Sequence, residues 1–289
     1  MRKTVAIVMA AAFAIGACTT GGGATATGGA SSPSAAAAQS FAADSTMGKI
    51  KAAGKLVCGT KFDVIAFGFK NPTSNEVEGL DADLCREIAA AIGVPPDFIE
   101  AVSANRLPFL KEDKVDIIIS TMTRNEERLA EIDFSKIYYV AGQKILVKSD
   151  SPHQSVEDLA GANVKVCSGE GSTSEKNLQD NGVAQANLVL FKTYGETAQA
   201  LLDGRCQAVS TDDSILFGLA AQNDGLEVRG EAFTKEPLGI GIKKGKDDLV
   251  QFINGVLDAM AADGRWKALY DKNIKPYSGA EAPTPPLDQ

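Results

Sequence analysis

Two α/β lobes, each a mostly parallel sheet flanked by helices and joined by two chain crossings, are the architecture this sequence predicts. Three observations point to it. Short apolar, β-rich segments alternate with stretches of helical periodicity along most of the chain. The alternation runs to residue 120 and restarts near residue 164. Two β-like segments flanked by turn residues, 138–142 and 236–240, sit where a chain would pass from the first lobe to the second and back.

Taken in order, the chain opens with Met-Arg-Lys, an apolar run over 5–17, and Cys18. A charged start and a short apolar run read as a secretory signal, too short to span a bilayer. Ile15-Gly16-Ala17-Cys18 resembles a lipobox, in which the cysteine becomes the lipidated N-terminus, with Ile15 in place of the more usual Leu. A signal segment 1–18 and an exported chain, lipid-anchored at the outer face of the cell membrane, are therefore expected. Residues 19–46 are rich in Gly, Ala, Ser and Thr, a composition that cannot bury a core and behaves as a flexible tether.

The folded body should start near Met47 and span about 230 residues, enough for two modest lobes. Segment 55–59 reads as a strand, 81–92 as a helix with Leu84, Ile88 and Ile92 on one face, and 115–120 as a second strand. Beyond the crossing come a strand at 164–167, a helix at 196–202 and a strand at 207–210. A stripe of Leu249, Phe252, Ile253, Val256, Leu257 and Met260 marks a long core-facing helix ended by Asp263-Gly264, and Trp266 and Tyr270 follow on a shorter one. The expected boundaries are 47–140 with 238–277 for lobe one, 141–237 for lobe two, and a Pro-rich tail, 278–289, expected to be disordered.

Net charge is −8 without a basic cluster, which argues against a nucleic-acid partner. A single histidine, His153, and the lack of a nucleophile–base pair or metal-ligand cluster argue against catalysis, a metal or a cofactor. Four cysteines follow Cys18, namely Cys58, Cys85, Cys167 and Cys206. An even number in an exported chain favours two disulfides over buried thiols, although spacing does not reveal connectivity.

The most informative stretch is 120–134, where Ile117, Ile118 and Ile119 run into Thr121, Thr123 and Arg128. Hydroxyls and free backbone N–H groups of Thr121 and Thr123 at a strand end, with a spaced guanidinium, suit a carboxylate. This spacing resembles the carboxylate site of the family-3 solute-binding proteins, the amino-acid receptors of ABC importers, where two small hydroxyl residues precede the arginine by seven and five positions. The resemblance covers nearly all of 50–275, including Asp263-Gly264-Arg265-Trp266 and Gly239-Ile240-Gly241-Ile242. It implies the two-lobed, type II periplasmic-binding-protein fold, with ligand held at strand ends between the lobes.

Carried over residue by residue, the resemblance gives Thr121, Thr123 and Arg128 the ligand's α-carboxylate. Ser172 and Thr173 complete the cage from a Gly-rich turn in lobe two, and Asp212 takes the ammonium group. Lys61 stands where relatives that take cationic or amide side chains carry an acid, which implies an anionic ligand side chain. Ser103 and Arg106 resemble the pair that holds the distal carboxylate in the glutamate/aspartate-binding branch, and Phe67 and Tyr194 are expected as walls or as core. The resemblance thus implies a monomeric lipoprotein that captures glutamate or aspartate and delivers it to the transmembrane subunits of an ABC permease. Cysteines paired within lobes, Cys58 with Cys85 and Cys167 with Cys206, would leave the hinge free. A glutamine- or asparagine-binding relative, an amino-acid sensor, and a dehydratase or lyase on the same fold are the alternatives.

Overall fold

The computed structural model describes residues 40–161 and 163–288. Residues 1–18 with Cys18, and most of the expected tether, lie outside them. The body begins with helix Thr46–Ala53, whose N-terminus is capped by the Ser45 side chain and whose end is closed by Gly54 in the left-handed region.

Two five-stranded sheets follow. In the first, the spatial order is Pro96–Glu100, Leu56–Thr60, Ile117–Ile118, Glu236–Ile242, Asp133–Ala141. Its first three strands and its last run in one direction, and Glu236–Ile242 runs antiparallel to both of its neighbours. In the second, the order is Leu188–Phe191, Val166–Gly169, Ala208–Asp212, Gln143–Lys148, Leu226–Arg229, again with one reversed strand, Gln143–Lys148, antiparallel to both of its neighbours. The chain leaves the first sheet after Ala141 and returns to it at Glu236. There the two crossing strands pair with each other, Glu236 opposite Ala141 and Leu238 opposite Tyr139. This pairing makes the hinge a two-stranded ribbon.

Helix Leu80–Ile92 packs Leu84, Cys85, Ile88 and Ile92 inward and ends at left-handed Gly93, as the 3.6-residue pattern predicts. Helix Asp247–Asp263 buries Leu249, Ile253, Leu257 and Met260 completely. At ~1.5–3 kcal/mol for each fully buried apolar side chain, that face contributes on the order of 6–12 kcal/mol to lobe one. Disulfides Cys58–Cys85 and Cys167–Cys206 each lie within one lobe. Each closes a loop of a few tens of residues, worth about 3–4 kcal/mol in the chain-entropy account.

Three local differences from the sequence reading have physical reasons. The strand expected over 115–120 is only Ile117–Ile118, because the chain turns into a left-handed residue at Thr121, φ 42°. Strand Pro96–Glu100 and the small sheet Asp63–Val64, Gly68–Lys70, Val77–Glu78 carry too few apolar residues to show a pattern. The tail after helix Lys275–Ser278 has no regular structure, yet Pro286 is buried and Leu287 packs against the core. No helix among the described residues is long and apolar enough to cross a membrane.

Candidate functional site

Strand ends from both sheets meet between the lobes. Lys61 follows strand Leu56–Thr60 and is 2% exposed. Its Nζ donates to Ser103 Oγ at 3.1 Å and, at 3.4 Å, to the carbonyl and hydroxyl of Ser120. No carboxylate among the described residues lies within 4.0 Å of it to form an ion pair. Burial, and then the charge of Arg106, push its pKa down to about 7.

Arg106 opens helix Arg106–Lys111 and is equally buried. Its donors go to backbone carbonyls: Nε to Ser103, Nη1 to Ser120 and Thr121 at 3.0 and 2.9 Å, and Nη2 to Gly171 of the opposite lobe at 3.4 Å. Most of its fork is therefore committed within the protein, and one of its partners lies across the cleft. Burial, followed by Arg128, holds its pKa below the usual arginine range.

Thr121 departs from the sequence reading in one respect. Its backbone N–H is not free at the strand end but donates to Asp81 Oδ2 at 2.9 Å. Asp81, fully buried in the first turn of helix Leu80–Ile92, also accepts from Tyr138 Oη at 2.9 Å, and burial raises its pKa to about 6. Asp81 thereby secures the left-handed turn whose carbonyls reach Arg106.

Arg128 lies on the short helix Glu126–Leu129, 8% exposed, with Nη1 on the Thr123 carbonyl at 2.7 Å. Burial lowers its pKa, while Glu236 and Asp212 work against that shift. Facing it is the start of helix Thr173–Asp180, where Ser172 is the N-cap residue without making a capping bond. Arg128, Gly171, Ser172, Thr173 and Asn177 together border a cavity of ≈ 730 Å³.

Asp212 ends strand Ala208–Asp212 and is 4% exposed. Burial and the neighbouring Glu236 push its pKa up to about 8. Tyr194 starts helix Tyr194–Leu202, accepts from Thr211 Oγ1 at 2.9 Å, and presents its ring 5.8 Å from Lys61 Nζ. Phe67 is fully buried and packs edge-on against Tyr139, 5.2 Å between centroids, within the hydrophobic core.

Three further residues hold the lobes together and escape sequence reasoning. Asp63 Oδ2 accepts from the Tyr194 N–H at 2.5 Å, capping a lobe-two helix from lobe one. Gly171, φ 72°, brings its backbone so near Ala104 that an added Cβ would fall 2.8 Å from the Ala104 Cα. Glu236, 4% exposed, accepts from Thr123 Oγ1 at 2.7 Å and Thr173 Oγ1 at 3.0 Å. The first two carried no signal beyond a turn, and Glu236 only its place before Pro237 at the return crossing.

A deep seam between two hinged lobes, lined from both sides by cations, carboxylates and hydroxyls, is the geometry of a protein that captures a small polar solute by closing around it. The chain belongs to the bacterial extracellular solute-binding proteins, family 3, whose model matches residues 56–276. It is 42% identical over 233 residues to the ABC transporter glutamine-binding protein GlnH of Bacillus subtilis, covering 80% of this chain and 85% of that one. To the glutamate-binding protein GluB of Corynebacterium efficiens it is 32% identical over 235 residues, covering 76% and 79%. Among solved structures, the ancestral amino acid-binding protein AncCDT-1, a precursor of cyclohexadienyl dehydratase, matches with TM-score 0.75 at 35% identity, over 80% of this chain and all of that one. The P235GK mutant of ArgBP from T. maritima matches with TM-score 0.74 at 31% identity, over 79% and 99%.

Proposed function

We propose that this chain is the substrate-binding lipoprotein of an ABC importer, that it captures an acidic amino acid, glutamate and also aspartate, and that it hands the ligand to the permease. In this reading Arg128, Thr121 and Thr123 on one lobe and Ser172 and Thr173 on the other face the α-carboxylate. Asp212 receives the ammonium group, and Lys61, Ser103 and Arg106 face the distal carboxylate. Cys18 carries the lipid anchor.

The observation that carries the acidic reading is Lys61, a buried cation with weak neutral contacts and no carboxylate partner. A buried charge is costly until it is paired, so an anionic side chain is the ligand feature that Lys61 favours. Glutamine is the second reading. It is favoured by the 42% identity to a glutamine-binding relative and by the commitment of most of Arg106's donors to carbonyls, which leaves less for a carboxylate.

The test is calorimetric titration of the body, freed of carried ligand by unfolding and refolding, with glutamate, aspartate, glutamine and asparagine. Glutamate tighter than glutamine by tenfold or more supports the acidic reading. The reverse order establishes the second reading in its place.

A further inference from the structure

Each threonine hydroxyl has one proton to donate. The protons of Thr123 and Thr173 are both directed at Glu236 Oε2, and the two hydroxyl oxygens lie 3.4 Å apart. The other oxygen of Glu236 accepts from Asn177 Nδ2 at 2.8 Å, and Asn177 also donates to Gln143 Oε1 at 2.8 Å. Gln143 opens the first strand after the outgoing crossing, and its Nε2 donates to Ser210 Oγ at 2.9 Å.

One carboxylate at the return crossing thus joins Thr123 of lobe one to Thr173 and Asn177 of lobe two, and through Asn177 to the start of the strand that follows the other crossing. Bonds to a charged acceptor are stronger than neutral ones. Arg128 lends favourable charge nearby but lies beyond 4.0 Å of this carboxylate, since no ion pair joins them. Glu236 is therefore held by the lobes themselves and leaves the arginine for other partners.

We infer that Glu236 is an interlobe latch, a positioning residue that stabilises the closed state through Thr173 and Asn177 without touching the ligand. The inference rests on capture by lobe closure and not on which amino acid is captured. Opening moves Thr123 of lobe one away from Thr173 and Asn177 of lobe two, so Glu236 can bond to both sides at once only when the lobes are closed. The latch then acts on escape of the ligand, equally for every ligand.

The test compares Glu236→Ala and Glu236→Gln with the unaltered chain by stopped-flow dissociation of glutamate and of glutamine. Glu236→Ala should speed dissociation about tenfold for both ligands, leave association within twofold, and preserve their ranking. Glu236→Gln, whose carbonyl still accepts from the threonines, should recover part of the loss. Unchanged dissociation, or a change confined to one ligand, overturns the latch. If the unaltered chain binds no amino acid, the proposed ligand class fails, and the latch is read from solution scattering of the ligand-free chains. A larger radius of gyration in Glu236→Ala supports it, and an equal one overturns it.

Discussion

Replacing Lys61 by Met tests the proposed ligand class most directly, because the structure gives the size of what is removed. Burial lowers the Lys61 pKa from 10.5 to about 7, which corresponds to a cost on the order of 5 kcal/mol for keeping that charge in the closed, ligand-free seam. The cost is full below about pH 7, where both open and closed forms carry the proton, and fades as pH rises toward 10.5. Methionine fills similar space without it. A glutamate ligand loses its charge partner, a change worth about 2–5 kcal/mol, or roughly 30-fold to several thousand-fold in affinity. A glutamine ligand loses one hydrogen bond, about 0.5–1.5 kcal/mol, while the relieved burial cost acts in its favour. The glutamate-to-glutamine affinity ratio should therefore fall at least 30-fold in Lys61→Met, measured by calorimetry at pH 7. Equal losses for both ligands, or no loss for glutamate, would refute the assignment of Lys61 to the ligand's side chain.

Arg128→Ala should weaken every amino-acid ligand by roughly 30-fold or more, since the α-carboxylate is common to all of them; a paired melting curve should show only the loss of the bond to the Thr123 carbonyl, about 1 kcal/mol. Gly171→Ala should slow or abolish closure, because a Cβ there meets the Ala104 backbone and the left-handed φ adds about 1–2 kcal/mol of strain; scattering should find that ligand no longer compacts the variant. Ligand-free chains should be most open between about pH 7 and 8, and scattering across pH 5–10 checks it. The Lys61 cost of closing is full below about pH 7, whereas the Asp212 cost, from a closed-state pKa raised to about 8, grows with pH and is full above that value.

The parts of the fold that follow from periodicity were legible in the sequence. The Leu84, Ile88, Ile92 stripe and the Leu249 to Met260 stripe mark helices because each places its apolar residues at 3.6-residue intervals, and both faces are buried. The two crossing segments were legible as β, but their pairing with each other depends on residues about 100 apart and leaves no local trace. Within the site, Thr123, Arg128, Thr173 and Asp212 could be singled out because each sits at a strand end or helix start. Asp81 and Glu236 could not. A carboxylate in the first turn of a helix normally serves that helix, yet Asp81 instead holds Thr121 from 40 residues away. A strand-end N–H such as that of Thr121 reads from the sequence as a free donor, which fails where the protein supplies its own acceptor from a distant helix.

Those internal acceptors and the unpaired charges act in opposite directions on closure. Asp63 on the Tyr194 N–H, the Gly171 carbonyl on Arg106, and Glu236 between Thr123 and Thr173 are contacts the protein makes with itself, and each favours the closed form. Lys61 and Asp212 oppose it, because closing strips water from both and leaves their charges without close partners. A ligand shifts such an equilibrium only by what it adds to one state over the other. On the proposed reading an ammonium group beside Asp212 and a distal carboxylate beside Lys61 restore the charges that closure penalises. A ligand missing either group meets the same latches but leaves one penalty standing. Selectivity in this seam then comes from which buried charges remain unpaired, more than from the number of contacts made.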